Sequence, residues 1–102
     1  MTTQKKRAKL AARQEAADNT TSAERLNELA KESDKLARIV AKNPAAPIQL
    51  LRILCRSEDE ETCKCVIANP YASFDILSHL ERRFPMEIAN NPTLAFYNAI
   101  KP

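Results

Sequence analysis

One short pattern, present three times, limits what this chain can fold into more than any other feature. Val40-Ala-Lys-Asn-Pro44 returns as Val66-Ile-Ala-Asn-Pro70 and again as Ile88-Ala-Asn-Asn-Pro92. The Asn-Pro dipeptides begin at 43, 69 and 91, in steps of 26 and 22 residues. Self-similarity at such a period points to stacked supersecondary units, none of which can bury its apolar face alone. Proline also fixes where each unit stops. It disfavours the αR conformation at the preceding Asn and cannot continue a helical hydrogen-bond ladder.

Aligned from these ends, the apolar residues fall into columns. Val40, Val66 and Ile88 coincide, and four residues earlier so do Leu36, Thr62 and Phe84. A spacing of four keeps both positions on one face of a short helix. On the preceding segment Leu26, Leu51 and Leu77 coincide, as do Leu29, Leu54 and Leu80, which is the inward stripe of an amphipathic helix. Each unit therefore reads as a longer helix, a charged turn, a shorter helix and Asn-Pro. The predicted units are residues 20–44, 45–70 and 71–92, with a partial one at 93–102. Leu80 and Phe84 are only four apart, so Arg82-Arg83-Phe84-Pro85 leaves room for one turn, of α or 3₁₀ type. Pro47, Ser73 and Ala95 each begin the next long helix, and Thr21, with Glu24 three residues on, is the expected N-cap of the first.

The 102 residues include no glycine. That excludes Gly-rich phosphate loops, Walker A and Rossmann dinucleotide sites, and argues against hairpin-rich β folds. Asn is expected wherever a left-handed residue is needed. The fold class expected is all-α, as a short right-handed α-solenoid of about three to three and a half helix–short-helix units.

Charge is uneven. Residues 1–18 hold Lys5, Lys6, Arg7, Lys9 and Arg13 against Glu15 and Asp18, a balance of +3, whereas residues 19–102 hold 11 basic and 11 acidic side chains. With Leu10 as its one leucine, the basic segment 1–19 cannot build a continuous apolar stripe. It is expected to be a disordered or fraying arm, able to approach nucleic acid or an acidic partner. No apolar run reaches membrane-spanning length and no apolar core follows the basic residues, so no membrane partner is expected and the chain is read as cytoplasmic. Its three cysteines are then expected as reduced thiols.

The registered pattern resembles the leucine-rich repeat variant family. Pro47-Ile-Gln-Leu50-Leu51-Arg-Ile-Leu54, followed by Asp59, Glu60 and Val66-Ile-Ala-Asn-Pro70, is similar to one whole unit of that family, and residues 20–44 and 71–92 to two more. The resemblance implies a solenoid of α-helices alternating with shorter, often 3₁₀, helices and no strands. One member type carries an iron–sulfur cluster on a cysteine-rich segment ahead of its repeats. Residues 1–54 here hold no cysteine, and three thiols cannot make a four-thiolate site, so no cofactor is expected.

Candidate chemistry sits where the units differ. Cys55, Cys63 and Cys65 surround the acidic turn of the second unit, and with His79 they make a formal three-Cys, one-His zinc set. The spacing lacks paired knuckles, and small, partly buried side chains are the simpler reading. Arg52, Arg56 and Lys64 lie close enough in sequence to lower a thiol pKa. Glu58-Asp-Glu-Glu61 suits the start of a helix through the macrodipole, and lacks the glycine turn of a calcium loop. His79 has no nucleophile or acid placed beside it by sequence. Phe84 and Phe96 fall on core columns, whereas Arg82, Arg83 and Tyr97 are candidates for a partner surface, as are Lys5, Lys6, Arg7, Lys9 and Arg13. The function expected is a non-enzymatic binding module for a protein partner. The alternatives are nucleic-acid association through the basic arm and a thiol-redox or metal-binding repeat protein.

Overall fold

The Asn-Pro turns at 43 and 69 are built on the same side-chain geometry. A computed structural model describes residues 2–91, and among these there are seven helices and no strand. They are α1 (Thr2–Ala17), α2 (Ala23–Glu32), α3 (Asp34–Lys42), α4 (Ile48–Leu54), α5 (Glu60–Ala68), α6 (Phe74–Leu80) and α7 (Pro85–Ala89). Asn43 and Asn69 follow α3 and α5 with ψ of 122° and 124°, as the prolines after them require. Their side-chain Oδ1 atoms accept from the backbone N–H two residues on, Ala45 and Tyr71, at 2.8 Å in both cases. No described residue has positive φ, so asparagine serves here as a side-chain hydrogen-bonding group and not as the left-handed residue expected from the absence of glycine.

The carboxamides of the same residues reach backwards. Asn43 Nδ2 donates to the carbonyls of Ala16 (2.8 Å) and Asp18 (2.9 Å). Asn69 Nδ2 donates to those of Ala41 (2.9 Å) and Asn43 (3.1 Å), and Asn91 Nδ2 donates to the carbonyl of Ile67. All three asparagines are buried. Their acceptors lie at or just beyond the C-termini of α1, α3 and α5, where helix carbonyls have lost their intrahelical donors. Each of these asparagines thus caps the open end of the preceding helix in the series α1, α3, α5.

These bonds set the packing. The helices α1, α3, α5 and α7 lie against one another in succession, with α2 packed on α3, α4 on α5 and α6 on α7. One apolar cluster runs through the stack, and the predicted columns line it. Leu26, Leu51 and Leu77, then Leu29, Leu54 and Leu80, then Val40, Val66 and Ile88 are all buried. Thr62, a polar residue in the Leu36/Phe84 column, is fully buried and directs its hydroxyl to Asp59 Oδ2 at 2.6 Å. Phe84 is core, as expected. Phe74 is exposed, because the column it shares with Ala23 and Ile48 runs along the rim. Phe96, expected on that column, lies outside the described residues.

Three local expectations are corrected, one of them a helix length: α5, expected as the shorter helix of its unit, has nine residues against seven in α4. The segment expected as a disordered or fraying arm is helix α1, packed on α3 and α2. Its contact face is made of alanines: Ala16 is fully buried and Ala12 partly so, which lets the backbone approach without a leucine stripe. Glu15 pairs with Arg25 at 2.8 Å, and Thr21 Oγ1 donates to the Glu15 carbonyl at 2.6 Å. That bond engages Thr21, so the N-cap of α2 is Ser22, whose Oγ accepts from Arg25 N at 3.2 Å. The single turn expected after Leu80 is present as α7, an α-turn with Pro85 at its first position.

Asp18 takes the asparagine's place at the end of α1. Its Oδ1 accepts from Thr20 N at 2.8 Å, and Thr21 N donates to its carbonyl as Ala46 N does to that of Asn43 and Ala72 N to that of Asn69. The register of turns is therefore 18, 43, 69 and 91. Asp18 keeps the acceptor role and lacks the amide that would reach further back.

Two outcomes are expected from this packing. Leu51→Ala should lower unfolding free energy by about 2–5 kcal/mol in urea denaturation, whereas Ile53→Ala, on the exposed side of α4, should stay within about 0.5 kcal/mol. The second concerns acid. The Arg38 guanidinium, at 2.8 and 2.7 Å, and then Thr62 hold the Asp59 carboxyl well below the usual carboxylate range. A pKa depressed by folding adds stability above the unfolded value, about 3.9, and that stability is lost as pH falls towards the folded value. Asp59→Asn should therefore flatten, though not abolish, the acid limb of the denaturation midpoint below about pH 4, since Glu15, Asp18 and Asp75 are also lowered.

Candidate functional site

The four register marks make the spaces between α1, α3, α5 and α7 comparable, and charge distinguishes them. Five residues before each mark stand Arg13, Arg38, Lys64 and Met86. The first three are cations, on α1, α3 and α5.

Between α3 and α5 the cation is neutralised. Asp59, the N-cap of α5, accepts from Thr62 N and holds Arg38 through a two-pronged ion pair. Such fork-to-carboxylate pairs are among the stronger polar contacts. Between α5 and α7 lies a groove of about 390 Å³ whose lining charges are Glu60, Lys64, Arg83 and Glu87. Lys64 is 3.7 Å from Glu61 and 3.8 Å from Glu87, and Arg83 stacks over the Phe84 ring at 5.0 Å. These lining charges cancel.

Between α1 and α3 the same space is open and basic. A groove of about 430 Å³ has Ala8, Lys9, Ala12 and Arg13 on the α1 wall. Glu32, Ser33, Lys35 and Leu36 form the other wall. That volume falls in the range of small-ligand and side-chain pockets. The N-cap here is Ser33, whose Oγ accepts from Leu36 N at 3.1 Å, so the groove that Arg13 lines has a hydroxyl at the register position where Arg38 has a carboxylate. Lys9, Arg13 and Lys35 make no ion pair among the described residues, and Glu32 is the one acidic side chain in the lining.

The expected site residues are distributed as follows. Lys9 and Arg13 come together in this groove. Arg83 joins the neutral groove, its Nη1 4.0 Å from Cys63 Sγ, while Arg82 is exposed outside it. Arg7 is exposed on α1, and Lys5 and Lys6 belong to the same helix. Tyr97 lies outside the described residues. Lys35 and Ser33 escaped the sequence reading. The signal for them was a 25-residue step from Asp18 to Asn43, which sets Ser33 against Asp59 and Arg13 against Arg38.

The cysteines do not form a shared centre. All three are buried and unpaired. Cys55 Sγ donates to the Arg52 carbonyl at 3.0 Å, and Cys63 Sγ points at the carbonyls of Cys55 and Ser57. Cys65, two residues further along α5, lies near Lys42 and Arg38 of α3. His79 is exposed on α6 and lines, with Cys55 and Asp75, a small hollow of about 180 Å³. Among the described residues no group of three or more His, Cys, Asp or Glu side chains is arranged to hold a metal ion. Burial pushes all three thiols up, and the lowering by Arg56, expected from the sequence, with that by Arg83 and Lys42, offsets only part of it.

No described helix is long and apolar enough to cross a membrane. Comparison with curated proteins and with solved structures gave no match. Comparison with protein families did: the model of the leucine-rich repeat variant domain matches residues 10–63, slightly more than half the chain. The matched span contains Arg13 and the whole of α2 and α3. With the registered turns and buried leucine columns, it places this chain in the leucine-rich repeat variant family.

Proposed function

We propose that the chain is a non-enzymatic helical-repeat module that binds a protein partner. In this reading the helices form a short right-handed α-solenoid of about three to three and a half units, and α1 supplies the second helix of one further, incomplete unit. Arrays of this kind offer extended surfaces for recognition while each unit contacts only its neighbours. The observation that carries the reading is the α1–α3 groove. It is the one place described where the repeat geometry is kept, the internal partner is missing and the charges stay free. The buried thiols, with their pKa values pushed up, lack the activation that nucleophilic or redox chemistry asks for.

Selection of peptides on the intact chain from an unbiased display library tests this reading. The expected result is recovery of peptides that bind at micromolar or tighter affinity and protect backbone amides of the repeats in hydrogen exchange. Recovery of no peptide, together with nucleic-acid binding that falls about tenfold or more between 50 and 200 mM salt, would replace it with the nucleic-acid alternative.

A further inference from the structure

We propose that the α1–α3 groove receives an acidic segment of a partner polypeptide, with one Asp or Glu carboxylate of that segment seated on Arg13. The inference rests on the protein-binding reading above and names the partner's chemistry. The molecule itself displays the contact. One register step along, Asp59 occupies the equivalent place and takes Arg38 by Nε and Nη2 at 2.8 and 2.7 Å. The first groove has the same cation, Arg13, and replaces the carboxylate with the shorter, neutral Ser33.

Charge and shape select the occupant. Lys9 and Lys35 flank Arg13 without ion pairs among the described residues, so the lining carries three cations against Glu32. A carboxylate entering there gains charge-assisted hydrogen bonds and relieves the mutual repulsion of the cations. Ala8, Ala12 and Leu36 supply apolar wall for the chain that carries it. A nucleic-acid backbone fits less well, because it needs successive free cations at phosphate spacing. Beyond Arg13 the column continues as Arg38, held by Asp59, and Lys64, set between Glu61 and Glu87.

Ser33 supplies the internal test. Asp is as good an N-cap as Ser, so Ser33→Asp should keep α3 while placing a carboxylate on Arg13 within the chain. Fluorescence anisotropy would compare three probes on the intact protein. These are a labelled peptide of alternating Asp, Glu and Leu, the same peptide with Asn and Gln for the acids, and a single-stranded oligonucleotide of equal charge. The acidic peptide should bind, and the other two should bind at least about tenfold more weakly. Arg13→Ala and Ser33→Asp should each weaken the acidic peptide about tenfold or more, and Ser33→Asp should raise the thermal midpoint or leave it unchanged. The proposal is overturned if the acidic peptide does not bind, if both variants bind it as well as the parent, or if the oligonucleotide binds more tightly and loses that affinity in Arg13→Ala. Display-selected peptides that ignore Ser33→Asp would remove the acidic groove while leaving the protein-binding reading in place.

Discussion

Everything in this stack depends on a primary amide held in a dry place. A buried carboxamide has two N–H donors and a carbonyl to satisfy, and leaving them unpaired costs more than the bonds return in water. Asn43 and Asn69 satisfy all of these at once, donating to two carbonyls of the preceding unit and accepting from their own turn. The proline that follows makes the arrangement possible, since it stops the helix and leaves the Asn extended. Stopping a helix opens carbonyls at its end, and the next Asn along the chain fills those openings. Helix termination and stacking between units are therefore one interaction viewed from two sides. No buried side-chain nitrogen or oxygen among the described residues lacks a partner.

The same geometry explains why the first turn differs. Asp18 repeats the local half of the contact, accepting from Thr20 N, but a carboxylate has no hydrogen to give backwards. Its neighbours differ in the same sense. Glu15 stands where Val40, Val66 and Ile88 are buried, and turns outward to Arg25. Ser33 stands where Asp59 closes the next interface. Three polar substitutions at repeat positions thus combine at one end of the described stack, and the open basic groove follows from the third.

Much of this was legible in the sequence, for physical reasons that can be named. Asn-Pro is a strong stop, so Val40, Val66 and Ile88 could be aligned without knowing any contact, and leucines three apart on the longer helices marked a single buried stripe. What escaped was whatever lacked those marks. Helix α1 has no proline after Asp18 and no leucine column, and its buried face is alanine, which leaves a weak periodic signal. Arg13 was noted for its charge, but its partner column was invisible until Asp18 was recognised as a register mark. The exposed Phe74 shows that periodicity assigns a side of a helix without saying how far the next element covers it. Cys63 and Cys65 were close in sequence yet face different neighbours, as residues two apart on a helix do.

The central claim is that the asparagine amide, and no mere turn preference, couples one unit to the next. Asn69→Asp addresses it most directly: the side chain keeps its shape and its acceptor for Tyr71 N but loses both donors to Ala41 and Asn43. Asn90→Asp, at an exposed position on the neighbouring turn, is the control. Urea denaturation near neutral pH should show Asn69→Asp destabilised by about 3 kcal/mol or more, with amide exchange in α5 to α7 accelerated ahead of α1 to α3, and Asn90→Asp near parent stability. A change within about 0.5 kcal/mol for Asn69→Asp, with uniform exchange along the stack, would contradict the account.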